Sequence, residues 1–419
     1  MIKKLTKKKA LMIILLTVFL LTLSTIGAVN ATSYTKDVKD TTLTKKEVKT
    51  VNNVKTDLKI NKETKKVNTK KINTTKARNK NTNTTSVTKN NNHKNVKTAE
   101  PEIVTDYAGL SSLLTSTTNE ELTVNLDGAE TYESEGIITV NKNIRTLTIN
   151  GNSRTIDGKT TNGFLDISMS SISNAKINLV IKNLTVKNCK NSYGGAILFN
   201  NAQSTTTSNI TIINSTFSDN CANATSGIIR GGAIYQKTGN MTLIDSNFSN
   251  NKVARYSATY GSYLWHIGWG GAVAQETHSI LTIDNCNFTS NMAGGRGGAI
   301  CQYTDATTVD FQLYINNSKF TENKVISNMS NHENQGGAIF QYGGIIKIND
   351  TIFNENSAGL YGGAIYQDNY KSVSSLELNR CNFTKNNILI QGGAVYAKSD
   401  INITKSNFTE NYAVRAVKL

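Results

Sequence analysis

The chain is nearly devoid of proline and poor in the residues that usually build catalytic and metal sites. Its 419 residues include one proline, two tryptophans, four histidines and five cysteines. The cysteines are too few and too scattered for a disulfide framework, and no CxxC or paired-histidine motif accompanies them. The sequence therefore predicts no metal site and no cofactor, and it predicts that the cysteines are small packed residues.

Positive charge is scarce where a nucleic-acid-binding surface would need it. Residues 1–31 carry five lysines and no acidic residue, and residues 32–100 carry 18 basic against six acidic residues. Residues 101–419 carry 23 basic against 24 acidic residues, so the net charge of +16 comes from the N-terminal segments. Without a basic stripe on the folded part, we expect no nucleic acid among the partners.

The first 31 residues are typical of an export signal. Five lysines precede an apolar region from Leu11 to Ile26, and cleavage after Ala31 would leave Val29 and Ala31 at the small-residue positions. An uncleaved N-terminal anchor is the alternative, although the apolar region is short for a span of about 20 residues. We predict a signal peptide over 1–31 and a secreted or cell-surface protein.

Residues 32–100 consist almost entirely of Lys, Thr, Asn and Val, with no aromatic residue after Tyr34. Such a composition cannot bury enough apolar surface to offset the entropy of ordering the chain, which predicts a basic, disordered linker. Its positive charge suits attachment to the cell's own anionic wall polymer or membrane surface. A solvated spacer is the alternative.

The rest of the chain is organised by a repeat. Gly-Gly-Ala followed by Ile or Val begins at Gly194, Gly231, Gly270, Gly297, Gly336, Gly362 and Gly392. Between these copies stand phenylalanines that each have an asparagine three residues later, namely Phe217, Phe248, Phe288, Phe320, Phe353, Phe383 and Phe408. Successive phenylalanines are 25 to 40 residues apart. Self-similarity at such a period is typical of a solenoid.

The apolar pattern within each repeat predicts strands. Apolar residues lie seven and five positions before every repeat phenylalanine, with polar neighbours between them, as for Leu281 and Ile283 before Phe288. Earlier strands are expected at 122–126, 137–140, 147–149, 155–158 and 180–186. Because no helical period intervenes, the sequence predicts an all-β fold, a right-handed single-stranded parallel β-helix over 101–419.

A short helix should close the N-terminal end of this β-helix. Asp106 can cap it, and Ala108, Leu110, Leu113 and Leu114 can form its apolar face. A solenoid has an open apolar end that must be covered, so we assign the helix that role.

Several columns of equivalent residues should stack between coils. The asparagines three after Phe should form a ladder, and Gly-Gly should allow positive φ or close backbone approach at another corner. The position two before Phe holds small residues, namely Ser215, Ser246, Cys286, Ser318, Thr351, Cys381 and Ser406. The pattern leaves open which way a further column points, that of Tyr235, Cys301, Phe340, Tyr366 and Tyr396.

The Gly-Gly-Ala-Ile and Phe-x-x-Asn pairing resembles the repeat of chlamydial polymorphic outer-membrane proteins. The wider layout of signal, Lys/Asn/Thr linker, the run from Leu147 to Gly158 and then the repeats resembles the adhesin-like surface proteins of methanogenic archaea. This resemblance covers roughly residues 101–415. It implies a β-helix of the pectate-lyase type exposed outside the cell, and it carries little information about activity.

The repeat breaks at the end of the sequence. Arg230 and Arg296 directly precede Gly-Gly pairs, and Arg415 stands in the same place, but Ala416-Val417 follow it instead of glycines. The expectation is a chain that is C-terminally truncated relative to a longer protein. Further repeats encoded downstream would support this expectation.

An enzyme is the alternative class, since many polysaccharide lyases and glycosidases are β-helices. Catalysis would need clustered carboxylates on adjacent coils. The clearest acidic column lies two after Phe, at Asp219, Glu322, Glu355 and Glu410, and Lys385 interrupts it. Such repeat-linked acids are typical of a solvated corner, and two stacked carboxylates fall short of a Ca²⁺ ligand set. His93, His266, His278 and His332 have no partner at catalytic or metal spacing. The sequence weighs against catalysis.

The strongest candidate for binding is an insertion between Phe248 and Gly270, which is longer than the other connections of its kind. It contains both tryptophans of the chain and predicts a ligand- or partner-binding loop with residues Tyr256, Tyr260, Tyr263, Trp265, His266 and Trp269. Long loops on rigid scaffolds commonly bind, and aromatic residues give large contact area. The alternative is that the loop packs its rings against the flank of the coil.

The sequence thus predicts a non-catalytic, exported, adhesin-like cell-surface protein that attaches to a glycan or protein of another cell. A carbohydrate-active enzyme and a structural surface spacer are the alternatives. Asn-x-Ser/Thr triplets such as those at Asn214, Asn247, Asn287, Asn382 and Asn407 are chemically plausible acceptors for glycans in an exported chain.

Overall fold

A computed structural model describes residues 100–168, 176–200, 208–224, 227–253, 255–257, 262–264, 268–277, 279–304, 311–326, 334–370 and 373–414. The predicted signal peptide and linker, the four histidines and the break at Ala416-Val417 lie outside these residues. Within them the chain forms a parallel β-helix, which confirms the predicted fold class.

Four sheets of stacked strands run along the β-helix, and every pairing between described coils is parallel. Sheet 1 comprises Glu102–Val104, Glu121–Leu126, Thr146–Asn150, Asn178–Lys182, Asn209–Ile213, Asn240–Ile244, Ile280–Asp284, Gln312–Asn316, Ile345–Asn349, Ser375–Asn379 and Asp400–Thr404. Sheet 2 comprises Thr131–Glu133, Thr155–Asp157, Thr185–Lys187, Thr216–Ser218, Asn247–Ser249, Asn287–Thr289, Lys319–Thr321, Ile352–Asn354, Asn382–Thr384 and Asn407–Thr409.

Two further sheets complete each coil. Sheet 3 comprises Ile138–Thr139, Leu165–Ser168, Ile197–Asn200, Ile234–Gln236, Val273–Gln275, Ile300–Gln302, Ile339–Tyr342, Ile365–Asp368 and Val395–Ala397. Sheet 4 comprises Lys190–Asn191, Cys221–Ala222, Lys252–Val253, Met292–Ala293 and Lys324–Val325. Two short parallel pairs lie beside them, Ile229–Arg230 with Gly268–Trp269 and Asn387–Ile388 with Tyr412–Ala413. A coil passes through sheets 1, 2, 4 and 3 in turn.

The core is built from the columns that the repeat predicts. Leu281 pairs in register with Met241 and Leu313, and all three side chains are fully buried. The repeat phenylalanines stack face to face, with ring centroids 4.8 Å apart for Phe288 and Phe320. Strand alternation puts these residues inside and their polar neighbours outside, which gives one continuous core.

The corner after sheet 2 holds the predicted asparagine ladder. The Nδ2 atom of Asn291 donates to the Oδ1 atom of Asn323 at 3.0 Å, and the backbone N–H of Asn291 donates to the same oxygen at 3.1 Å. The residue before each ladder asparagine has φ near +55°, as at Ser290 and Glu322. The amide side chains thus satisfy backbone groups that the turn leaves unpaired.

The Gly-Gly pair forms another corner. The first glycine has positive φ, for instance +61° at Gly297, and the second has no room for a Cβ atom. A Cβ atom on Gly298 would collide with the carbonyl oxygen of Gly337 on the next coil. This confirms that the repeat glycines are needed for backbone conformation and close approach.

The predicted N-terminal helix, α1, spans Tyr107–Ser116. The side chain of Asp106 accepts a hydrogen bond of 2.7 Å from the backbone N–H of Gly109, which confirms the cap. Leu110 and Leu114 are fully buried in the core. The helix contacts the first strands of sheets 1 and 3 and so covers the end of the β-helix.

Three details differ from the sequence-based prediction. In α1, Ala108 is exposed, and Tyr107 is buried together with Leu110 and Leu114. The run 180–186 is two strands, Asn178–Lys182 and Thr185–Lys187, because Asn183 turns the chain with φ of +53° between them. Sheet 4 is made of two-residue strands that the apolar pattern before each repeat phenylalanine does not predict.

The fold also contains a second ladder, built from glutamines, that was not predicted from the sequence. Gln236, Gln275, Gln302, Gln341 and Gln367 are buried, and each amide after the first donates to the carbonyl oxygen of the preceding one at 2.6 to 2.9 Å. The sequence does contain a pattern that indicates this ladder, since a glutamine stands five residues after the first glycine of these repeats.

All five cysteines are buried, as predicted for small packed residues. The Oγ of Ser318 accepts from the backbone N–H of Cys286 at 3.1 Å, so thiols and hydroxyls share one ladder. No helix in the described residues is long and apolar enough to cross a membrane.

Candidate functional site

The predicted binding insertion contains a β-hairpin. Arg255–Ser257 pairs antiparallel with Ser262–Leu264, and Tyr256 stands directly opposite Tyr263. The hairpin leaves the coil after Lys252–Val253 and returns at Gly268–Trp269, between sheets 4 and 3. Tyr260, Trp265 and His266 lie outside the described residues. Whether these residues bind a ligand stays a prediction.

Trp269 is at the base of this insertion and is only 2% exposed. Its ring lies between two guanidinium groups, 4.9 Å from the Cζ of Arg230 and 4.7 Å from the Cζ of Arg296. Both arginines directly precede a Gly-Gly pair, as Trp269 does, and the three residues therefore stack on successive coils. The position of Trp269 matches the packing alternative, because its ring faces are covered by the arginines.

Polar partners hold this stack in place. The Nε of Arg230 lies 2.6 Å from the Oε1 of Glu276, and the hydroxyl of Tyr235 donates to the Oε2 of Glu276 at 2.7 Å. Burial and the adjacent Glu276 carboxylate raise the pKa of Tyr235 well above its ordinary value. Tyr235 therefore stays a neutral hydrogen-bond donor at any physiological pH.

The column whose direction the sequence left open points away from the core. Tyr235, Cys301, Phe340, Tyr366 and Tyr396 are aligned on sheet 3, and the Ile or Val residue before each of them faces inward. The side chains of Cys301, Phe340, Tyr366 and Tyr396 belong to a second apolar cluster outside the sheet. The outer side of sheet 3 thus carries rings where the other sheets carry mostly Thr, Asn, Ser and Lys.

We call this surface the aromatic face; it consists of Trp269, Tyr303, Phe340, Tyr342, Tyr361, Tyr366, Tyr370 and Tyr396. One row runs from Trp269 through Tyr303 and Tyr342 to Tyr370, with centroids 4.4, 4.8 and 4.5 Å apart. A second row joins Phe340, Tyr366 and Tyr396 at 5.1 and 5.4 Å.

The rows differ in exposure along their length. Trp269 and Phe340 are buried, Tyr303, Tyr342 and Tyr361 are half-buried, and Tyr370 is 38% exposed. Because neighbouring rings cover one another's faces, the aromatic face offers mainly ring edges and phenol hydroxyls to solvent. Arg296 lies beneath it, within 6.0 Å of the ring centroids of Trp269, Tyr303, Phe340 and Tyr342. This arrangement suits binding of a polar, hydroxyl-bearing ligand.

The acidic column is at the corner after sheet 2. Asp219, Glu322 and Glu355 have φ between +54° and +57°, and all three are exposed, as expected for a solvated corner. The Oε2 of Glu322 accepts from the hydroxyl of Ser290 at 3.1 Å. Among the described residues, no His, Cys, Asp and Glu side chains converge in a group of three or more that could hold a metal ion.

A cleft of about 260 Å³ next to this corner is lined by Asp219, Cys189, Cys221, Lys190 and Lys252 among others. Burial raises the pKa of the Cys189 thiol to about 12. Burial also raises the pKa of Cys221, although Lys252 and Lys190 oppose the shift. Both thiols are therefore protonated at neutral pH, and neither is an activated nucleophile.

Comparisons with known proteins support the β-helical fold and the repeats described above. A family model described as a pectate lyase-like adhesive domain matches residues 101–222. The Chlamydia polymorphic membrane protein repeat matches residues 285–302 and 350–368. These matches bear out the chlamydial part of the resemblance; the relation to methanogen proteins stays a prediction.

One curated relative is the probable autotransporter YfaL of Escherichia coli (strain K12), which is 34% identical over 89 residues. That match covers 21% of this chain and 7% of the relative, so it compares repeats and not whole proteins. No solved structure matches the chain. Together the adhesive-domain match and the repeat matches support a surface adhesin-like protein, and its fold is a parallel β-helix.

Proposed function

We propose that this protein is an exported adhesin that attaches its cell to an extended carbohydrate chain through the aromatic face, without catalysing a reaction. The pectate lyase-like adhesive domain match and the autotransporter relative support a surface location and an adhesive role. The predicted signal peptide supports export. The β-helix acts as a rigid scaffold that presents the face.

The single observation that carries the proposal is the pair of aromatic rows, mostly tyrosines, on the outside of sheet 3. Soluble proteins rarely expose contiguous aromatic surface without a binding role. The phenols of Tyr303, Tyr342 and Tyr370 follow one another at 4.8 and 4.5 Å along the β-helix, so a linear polymer lying along the axis would meet a phenol at each of these coils. Phenol hydroxyls donate and accept hydrogen bonds, which matches the hydroxyl groups of sugars.

The carbohydrate-active enzyme is the weaker alternative. Its acid and base would have to come from carboxylates facing a shared cleft. The acidic column instead faces solvent at a corner on a different side of the coil from the aromatic face.

Binding of the full chain to glycan arrays and to whole cells tests the proposal. Tyr342→Ala combined with Tyr370→Ala should reduce binding at least tenfold, because two adjacent rings of the more exposed row are lost. Tyr314→Ala is the matched control, since Tyr314 is a half-buried tyrosine on the outer side of sheet 1. Unchanged binding in the double variant, or binding only to protein ligands, would contradict the proposed role of the face.

The basic linker supports a second attachment, to the cell's own anionic wall or membrane surface. Its net charge of +12 over residues 32–100 would bind such polymers electrostatically. Deleting 32–100 should release the protein from the cell at low salt, and salt should release the intact chain. Retention of the deleted form would show that the linker is only a spacer.

A further inference from the structure

Six of the exposed Asn-x-Ser/Thr asparagines lie along one edge of the β-helix, between sheets 1 and 2. Asn183 and Asn214 are at the corner itself, with φ of +53° and +45°. Asn247, Asn287, Asn382 and Asn407 open the strands of sheet 2 directly after the corner. All six are exposed. A seventh, Asn402, is exposed on the outer side of sheet 1.

The six asparagines form three stacked pairs on adjacent coils. The Nδ2 of Asn214 donates to the Oδ1 of Asn183 at 2.7 Å. In the same way Asn287 donates to Asn247 at 2.9 Å, and Asn407 donates to Asn382 at 3.1 Å. Each pair therefore contains one amide nitrogen that faces its neighbour and one that donates to no described residue. The second kind belongs to Asn183, Asn247 and Asn382.

The hydroxyl residue of each triplet is on the same side of the chain as its asparagine. Thr185, Ser249 and Thr384 lie two residues after Asn183, Asn247 and Asn382. The residues between them, Leu184, Phe248 and Phe383, are buried in the core. Strand alternation turns the asparagine and the hydroxyl outward together at Asn247 and Asn382, whereas Asn183 lies in the turn before its strand and is exposed there.

Triplet asparagines on sheet 1 include two that are less exposed than those at the edge. Asn209 and Asn349 are half-buried on sheet 1, and their Nδ2 atoms donate to Asn178 at 2.8 Å and to Asn316 at 3.0 Å. The motif alone does not separate Asn209 and Asn349 from Asn183, Asn247 and Asn382, but burial and donation by the Nδ2 atom do.

We propose that Asn183, Asn247 and Asn382 are N-glycosylation sites, one in each stacked pair. Coils are about 4.8 Å apart, so a sugar on one asparagine crowds the neighbouring one and leaves room for a single glycan per pair. The co-reactant is a lipid-linked oligosaccharide of the export pathway. The Asn nitrogen forms a bond to C1 of the first sugar, the bond from C1 to the lipid phosphate breaks, and the nitrogen loses one proton.

The glycans would cover one edge of the β-helix and leave another side bare. No described strand of sheet 3 contains such a triplet, so none of the proposed glycans lies on those strands. The modified edge and the binding face thus lie on different sides of each coil.

Peptide mass spectrometry of the protein purified from the surface of the cells that make it tests the proposal. We expect glycopeptides at Asn183, Asn247 and Asn382 in excess over their pair partners, and unmodified peptides at Asn209 and Asn349. Unmodified peptides at all three sites would overturn the proposal, as would equal modification of Asn209 and Asn349.

Variants that keep each asparagine in place make the test sharper. Thr384→Ala should abolish the glycan on Asn382, while Thr384→Ser should retain it, because the hydroxyl and not the side-chain shape is required. Thr211→Ala, in the Asn209 triplet, is the matched control and should leave the glycan pattern unchanged. A glycan that persists on Asn382 in Thr384→Ala would contradict the assignment. Binding of carbohydrate by the aromatic face is measured separately and does not depend on this result.

Discussion

The guanidinium of Arg296 lies 4.7 Å from the ring centroid of Trp269, and the guanidinium of Arg230 lies 4.9 Å from it on the neighbouring coil. The two arginines and the tryptophan occupy equivalent places before successive Gly-Gly pairs. The strand Gly268–Trp269, where the insertion returns to the coil, is therefore held by stacking on both neighbouring coils. Trp269 is a positioning residue for the insertion and for the aromatic face.

Replacing the planar guanidinium tests this relationship. Arg296→Lys keeps the charge but loses stacking on the surrounding rings, so we expect the free energy of unfolding to fall by about 1–2 kcal/mol. Urea denaturation measures the change. Arg380→Lys is the control, because Arg380 only pairs with Asp350 on the exposed surface. An equal loss of unfolding free energy in both variants would show that stacking of Arg296 on Trp269 does not stabilise the fold.

The asparagine ladder should be the most sensitive polar element of the fold. The amide of Asn323 donates to the carbonyl of Phe288 at 2.9 Å and to Asn356 at 3.0 Å, and it accepts twice from Asn291. Asn323→Ala leaves buried donors on Asn291 without an acceptor, which should cost more than about 3 kcal/mol.

Asn354→Ala is the matched control for this variant. Asn354 lies on the adjacent coil and its side chain bonds only Glu355 at the surface. Thermal unfolding should give a clearly lower melting temperature for Asn323→Ala than for Asn354→Ala. A similar melting temperature for both variants would mean that the ladder is not required for stability.

The fold could be predicted because each coil repeats the same residues at the same places. The phenylalanine core, the asparagine ladder and the Asp106 cap all follow from spacing and side-chain chemistry. A periodic pattern carries this information many times over, so single exceptions such as Cys189, which stands where later coils have asparagine, do not obscure it.

The aromatic face could not be oriented from the sequence, and the reason is physical. Alternation of apolar and polar residues predicts which side chains point into the core only when the other side of the strand is exposed to solvent. Here Ile339, Phe340 and Gln341 are all buried. Phe340 is covered from outside by Tyr366 and Arg296, which come from other coils. Such contacts depend on which residues of neighbouring coils meet, and the spacing of residues within one coil does not predict these contacts. The insertion was recognisable by its length, but the burial of Trp269 was not.

The Gly-Gly corner offers a test with a built-in control. Gly298→Ala would place a Cβ atom against the backbone of Gly337 and Lys324 on the next coil, so the coils must separate locally. We expect a loss of more than about 3 kcal/mol or failure to fold. Gly136→Ala should be tolerated, since nothing lies within 4 Å of a Cβ atom there. Circular dichroism and denaturation distinguish the two, and a stable Gly298→Ala would refute close approach at this corner.

Stability should decline at alkaline pH because buried thiols and phenols resist ionisation. Burial raises the pKa of Cys189, Cys286 and Tyr107 to about 12 in the folded chain. In the unfolded chain these groups ionise near their ordinary pKa values of about 8.5 for Cys and about 10 for Tyr. Above about pH 8.5 the unfolded state therefore binds fewer protons, and unfolding becomes more favourable as the pH rises towards 12.

Exchanging thiol and hydroxyl within one ladder isolates this effect. Each buried thiol adds a slope of up to about 1.4 kcal/mol per pH unit to the loss of stability. Cys286→Ser should flatten the dependence between about pH 9 and pH 11, because serine does not ionise there and already fills the equivalent slot at Ser246 and Ser318. Ser318→Cys should steepen it. Urea midpoints measured across this range test both variants, and identical pH profiles for the two would show that these thiols ionise as freely in the folded chain as in the unfolded one.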